Sequence, residues 1–115
     1  MWHRLHKLTR EPGGRITAEV DFPQQSQWVE GHFPDDPLIP AVAQLSIVRE
    51  ALGGIGEGPF IPSELNRVKF KAMVRPGERL NLEITPKSEA RSQWQYRLFK
   101  GREMVGSGFI KGRFS

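Results

Sequence analysis

Gly31-His32-Phe33-Pro34-Asp35-Asp36-Pro37-Leu38-Ile39-Pro40-Ala41-Val42-Ala43-Gln44-Leu45-Ser46-Ile47-Val48-Arg49-Glu50-Ala51-Leu52 is the stretch whose reading decides the fold. Its first half is no regular element. Pro34, Pro37 and Pro40 each fix φ, remove a backbone donor and push the residue before them towards extended geometry. From Ala41 onward Pro and Gly are absent, and Ala41, Leu45, Val48 and Leu52 follow the i, i+4, i+7, i+11 rhythm of a buried helical face. Pro40 suits the first turn of that helix. A stiff loop thus carries His32 to the start of an apolar helix. The opening N–H groups and positive dipole end of that helix face whatever lies beside the loop.

Upstream, residues 2–10 read as an imperfect strand and Glu11-Pro12-Gly13-Gly14 as a turn. Residues 15–22 alternate polar and apolar with a period of two, so the two segments form a hairpin. Downstream, Gly53-Gly54-Ile55-Gly56-Glu57-Gly58-Pro59 stops the helix. Residues 61–74 form a strand with a basic face, and Arg75-Pro76-Gly77-Glu78 has the order a type II turn prefers. Residues 80–85 alternate cleanly and are expected to pair back on that strand. Residues 93–100, a tight turn at Gly101-Arg102 and residues 104–114 complete a four-strand meander.

One apolar helix between a hairpin and a meander must bury its face against a sheet. The expectation is an α+β chain with the hot-dog fold, a single domain over residues 1–115 in which a curved antiparallel sheet wraps one long central helix. Such sheets pair edge to edge in a dimer, which covers an exposed edge strand.

Composition narrows the function. The 115 residues include 17 Lys and Arg against 13 Asp and Glu, a formal charge of +4 that favours an acidic partner. Cysteine is absent, which excludes disulfides, thiolate catalysis and zinc–thiolate sites. No apolar run is long enough to span a bilayer, and Met1-Trp2-His3-Arg4 lacks the apolar core of a signal peptide, so a cytoplasmic location is expected. His3 and His6 in the first strand have no third ligand at useful spacing and read as ordinary surface or half-buried residues; no metal is expected. Nucleic acid is not expected either, since no zinc spacing, aromatic–glycine RNA pattern or recognition helix is present.

Gly31-His32-Phe33-Pro34-x-x-Pro37-Leu38-Ile39-Pro40 resembles the Gly-His-Phe-Pro signature of the β-hydroxyacyl-[acyl-carrier-protein] dehydratases. Val68-Lys69-Phe70-Lys71-Ala72-Met73-Val74-Arg75-Pro76-Gly77-Glu78-Arg79-Leu80 resembles the second block of that family. The resemblance implies a homodimer, a cytoplasmic role in fatty acid or polyketide-type synthesis, and a tunnel for a pantetheine-linked acyl chain. It implies no resident cofactor, since the acyl group arrives on the phosphopantetheine of an acyl carrier protein or on coenzyme A. The site it implies joins the loop histidine of one subunit to a helix carboxylate of the other. His32 falls on the family's base, the Ala41 amide on its thioester-polarising glycine, and Ser46 on its Glu or Asp.

Dehydration needs a base at the α-carbon, an acid at the β-hydroxyl and N–H donors for enolate-like charge. A serine hydroxyl is far too weak an acid near neutral pH, so Ser46 is expected to orient a water or the substrate hydroxyl. Glu50, one turn on, and Asp35 and Asp36 in the loop are the alternative carboxylates. Phe33, Pro40, Ala41, Val42, Glu50 and Phe70 are the expected substrate-binding residues. Arg67, Lys69, Lys71 and Arg75 are the expected dock for an acidic carrier protein. The alternatives are a catalytically impaired acyl-thioester-binding or partner subunit, and a hot-dog thioesterase.

Overall fold

The computed structural model describes residues 2–24, 26, 39, 42–55, 58–87 and 92–115. The elements in chain order are β1 (Arg4–Arg10), β2 (Ile16–Asp21), α1 (Val42–Gly53), β3 (Phe60–Phe70), β4 (Arg79–Pro86), β5 (Gln93–Lys100) and β6 (Glu103–Phe114). The six strands form one antiparallel sheet in the order β1-β2-β4-β5-β6-β3, with α1 packed on it. This is the hot-dog fold.

Period-two alternation places the core on one face of the sheet. Ile16, Ala18 and Val20 of β2, Leu80, Leu82 and Ile84 of β4, and Trp94, Tyr96 and Leu98 of β5 are buried. Ala43, Ile47, Val48, Ala51 and Leu52 of α1 meet them. Each fully buried Val, Leu or Ile contributes about 1.5–3 kcal/mol. The expected helical face is corrected by about one position. Val48 and Leu52 are buried, but Leu45 is only partly so, and the contact runs through Ala43, Gln44, Ile47 and Ala51. Ala41 lies outside the described residues. Small residues at 43 and 51 let the helix approach the sheet closely, a role that a count of large apolar side chains overlooks.

The β1–β2 hairpin is present, with Gly14 N–H bonded to the Glu11 carbonyl at 2.8 Å in its turn. The meander is not. β3 pairs with β6 at the edge, and β4 sits between β2 and β5, so β4 does not pair back on β3. The reason lies in the connection. Lys71 and Ala72 N–H groups bond the Val105 carbonyl on β6, and the Val74 carbonyl accepts from Ile39 at 2.7 Å. These backbone groups are therefore not available to β4. The turn at 75–78 exists, with Gly77 at φ +88° and Glu78 N–H bonded to the Arg75 carbonyl. Its Gly77 N–H then bonds the Phe22 carbonyl at 2.6 Å, which steers β4 in beside β2.

Candidate active site

Two chain segments converge on the start of α1. Ile39 is buried and tied to Val74, and Phe70 at the end of β3 is the register partner of Gly106 on β6. The Gln44 side chain lies over Gly106, occupying the space a Cβ would need. Around this junction apolar side chains are left uncovered: Val42 is 57 % exposed, Phe70 49 % and Met73 64 %. Exposed apolar groups gathered beside a helix start are what a binding surface or subunit contact presents.

The outward face of α1 carries Ser46, half-buried, and Glu50. The Nε2 atom of His3 lies 2.6 Å from Glu50 Oε2, with the His3 side chain 5 % exposed and that of Glu50 53 % exposed. The imidazole also meets the edge of Phe22, with ring centroids 6.2 Å apart. The Ser26 hydroxyl, itself buried, donates to the Trp2 carbonyl and pins the same N-terminal segment. His3 is half-buried, as expected, but lies outside the strand. It precedes β1 and is bound to the helix. Nothing in the local sequence signals a contact that spans 47 positions.

Among the described residues two buried polar atoms have no partner: Gln44 Oε1 and the Tyr96 hydroxyl. Burial pushes the Tyr96 phenol up to about 12, so it stays protonated across the ordinary pH range. On the opposite face of the sheet, Arg4, His6 and Arg79 converge on Asp21, and Lys7 and Arg79 on Glu19. Burial works to raise the Asp21 carboxyl, but hydrogen bonds from Arg4 and His6 outweigh it and the net shift is downward.

Of the sequence-derived site residues, Val42, Ser46, Glu50 and Phe70 fall on described elements. His32, Phe33, Pro40 and Ala41, with the loop carboxylates Asp35 and Asp36, lie outside the described residues. Arg67, Lys69 and Lys71 are exposed and, among the described residues, form no ion pair; Arg75 is exposed in the turn after them. Arg67 has φ +51° at the bulge where the β3–β6 register shifts. Such a bulge twists an edge strand and re-aims its side chains. Among the described residues no helix is long and apolar enough to cross a membrane. Nor does any group of three His, Asp or Glu side chains there have the geometry to hold a metal ion.

The family described as ApeI-like, ApeI dehydratase, matches residues 8–109. The 3-hydroxyacyl-[acyl-carrier-protein] dehydratase FabZ of Natranaerobius thermophilus is 30 % identical, over 94 % of this chain and 81 % of its own. The FabZ of Variovorax paradoxus is 31 % identical, over 87 % and 71 %. The dehydratase heterocomplex ApeI:P from Xenorhabdus doucetiae contains a chain that superposes with a TM-score of 0.84 at 23 % identity, covering 97 % of this chain and 98 % of that one. An (R)-hydratase from A. caviae superposes at 0.70 with 18 % identity, over 93 % and 98 %. At those identities the structural likenesses establish the fold alone.

Proposed function

The chain belongs to the ApeI-like, FabZ-related family of hot-dog dehydratases, and from that premise we propose that it is a lyase that removes water from a 3-hydroxyacyl thioester. The acyl group would arrive on an acyl carrier protein, in cytoplasmic fatty acid or polyketide-type synthesis. In this reading His32 takes the α-proton. The amides at the start of α1, Ala41 first, meet the charge on the thioester oxygen. Ser46 holds the substrate hydroxyl or a water. The observation that carries the reading is the uncovered apolar group of Val42, Phe70 and Met73 around the start of α1. It suits a thioester-linked acyl chain and a second subunit closing over it. The uncommitted cations Arg67, Lys69 and Lys71, with Arg75, suit an acidic carrier helix beside that entrance.

The assay is the appearance and reversal of enoyl-thioester absorbance with 3-hydroxyacyl carrier substrates of several chain lengths. Turnover lost in His32→Ala supports the proposal, and absence of turnover at every length rejects it for the chain acting alone.

A second reading is a subunit of a heteromeric dehydratase, and Ser46 favours it. The resemblance places Ser46 where a carboxylate is expected, and one solved likeness is a heterocomplex by its description. Activity that requires a co-purified paralogue would select this reading. Release of free carrier thiol without enoyl product would instead select a thioesterase.

A further inference from the structure

Resting on the dehydratase reading, we propose that Glu50 is the catalytic carboxylate of this chain and that His3 is the residue that positions it. The acid position has moved one turn along α1, from Ser46 to Glu50.

Spacing and direction carry the argument together. Ser46 and Glu50 are i and i+4, so they share one face of α1. A helical side chain leans towards the N-terminus and covers the turn before its own Cα. The turn that separates the two α-carbons is about 5.4 Å. A side chain as long as that of Glu50, leaning back as helical side chains do, spans part of that distance. This face is turned away from the sheet, since the buried positions of α1 are Ala43, Gln44, Ile47, Val48, Ala51 and Leu52. The Glu50 side chain, 53 % exposed, is open to a ligand on that face.

The second observation is the imidazole. A glutamate with a half-exposed side chain ordinarily samples many rotamers, and a flexible acid is a poor catalyst because productive geometry is rare. Here the His3 Nε2–Glu50 Oε2 contact at 2.6 Å fixes one oxygen. The imidazole itself is enclosed against Phe22. Among the described residues Glu50 has no other polar partner, so Oε1 is left to address a ligand. A mere strap for the N-terminal segment would work as well with an apolar side chain in the same enclosure. What an imidazole adds is a directed hydrogen bond and a transferable proton.

The step balances as follows. The base of the site takes the α-proton, and the released electron pair becomes the Cα=Cβ bond. The Cβ–O bond breaks onto oxygen, which takes the proton held by the His3–Glu50 pair and leaves as water. Solvent then carries a proton from the protonated base back to the pair.

The test uses the full-length protein and the enoyl-absorbance assay, with thermal melts to establish that each variant is folded. Glu50→Gln should lower kcat by ~10²–10⁴-fold with little change in KM, the loss expected for a general acid. Adding Ser46→Glu to Glu50→Gln should recover at least tenfold of it. His3→Gln, which keeps a donor near the Nε2 position, should retain most of kcat, a rescue by the conservative variant that a merely space-filling role would not require. His3→Phe should lose tens-fold, approaching the ~10²-fold penalty of a misplaced group. Wild-type turnover unchanged by Glu50→Gln overturns the inference and leaves the dehydratase reading standing. An inactive wild type that gains activity through Ser46→Glu also overturns it, since Glu50 then fails to serve. Inactivity of both, alone and with a co-purified paralogue, rejects the dehydratase reading itself, and this inference with it.

Discussion

Three glycines of β6 point into the core, and the structure orders the cost of giving each a methyl group. A Cβ at Gly112 would overlap the Ile61 backbone carbonyl and the Phe60 ring. At Gly108 it would sit 2.8–3.0 Å from two ring carbons and the hydroxyl oxygen of the fully buried Tyr96. At Gly106 it would overlap the end of the Gln44 side chain, with Cδ 2.7 Å away. Backbone cannot yield without breaking the β3–β6 ladder, a buried ring yields little, and an amide end can rotate. Overpacking a core costs about 1–3 kcal/mol. Replacing Gly by Ala where φ is ordinary returns roughly 0.4–1 kcal/mol by restricting the unfolded chain. The net expectation is about 2–3 kcal/mol for Gly112→Ala, roughly 1–2 for Gly108→Ala, and about 0–1 for Gly106→Ala. Urea denaturation at one fixed protein concentration measures all three as shifts in midpoint at constant m. Combining Gly106→Ala with Gln44→Ala should recover about 0.5 kcal/mol or more as coupling, because the clash is with that side chain. A larger loss in Gly106→Ala than in Gly112→Ala, or no coupling to Gln44, would refute the reasoning.

The remaining expectations concern charge and assembly. Tyr96 is the one tyrosine of the chain, its hydroxyl buried without a partner among the described residues and its phenol pushed up to about 12. A folded pKa above the unfolded value of about 10 leaves stability intact below pH ~10 and removes roughly 2–3 kcal/mol as pH rises through 12. Tyrosinate absorbance follows that titration directly, and Tyr96→Phe should abolish the alkaline limb while gaining about 1 kcal/mol at neutral pH. Asp21 is depressed by its hydrogen bonds from Arg4 and His6, so its contribution is present above the unfolded pKa and lost as pH falls through the folded one. Asp21→Asn should cost about 1.5–3 kcal/mol at neutral pH, a difference that fades below pH ~4. At the β3 edge, Leu65 is exposed; Leu65→Lys should weaken self-association at least ~tenfold by sedimentation, and unchanged assembly would rule this edge out as the subunit contact.

Which parts of this architecture could be read from sequence follows from how local each cause is. β2 and β4 were legible because alternate residues, Ile16, Ala18, Val20 and Leu80, Leu82, Ile84, face one core. α1 and its stop were legible from proline, glycine and apolar spacing. The β3–β6 pairing was not. Arg75-Pro76-Gly77-Glu78 does form the turn its composition demands, but a turn states only that the chain reverses, not which strand it reaches. That choice is made by Gly77 bonding Phe22 and by Val105 taking the N–H groups of Lys71 and Ala72, contacts distant in sequence. The same limit hid His3, whose partner Glu50 is far along the chain, and Gln44, whose side chain needs Gly106 opposite it.

That division has a practical consequence for α1, whose two faces serve different ends. Ala43, Ile47, Val48, Ala51 and Leu52 are buried, so a polar or bulky replacement there acts on folding before it acts on anything else. Ser46 and Glu50 lie on the other face, where substitution removes no core contact. A loss of turnover at 46 or 50 with unchanged melting is therefore a statement about chemistry, whereas the same loss at 47 or 51 is not. The His3–Glu50 contact lies between these cases, because it both tethers the N-terminal segment and orients a carboxylate. Comparing His3→Gln with His3→Phe separates the two, since the first keeps a hydrogen bond to Glu50 and the second keeps only the filled space.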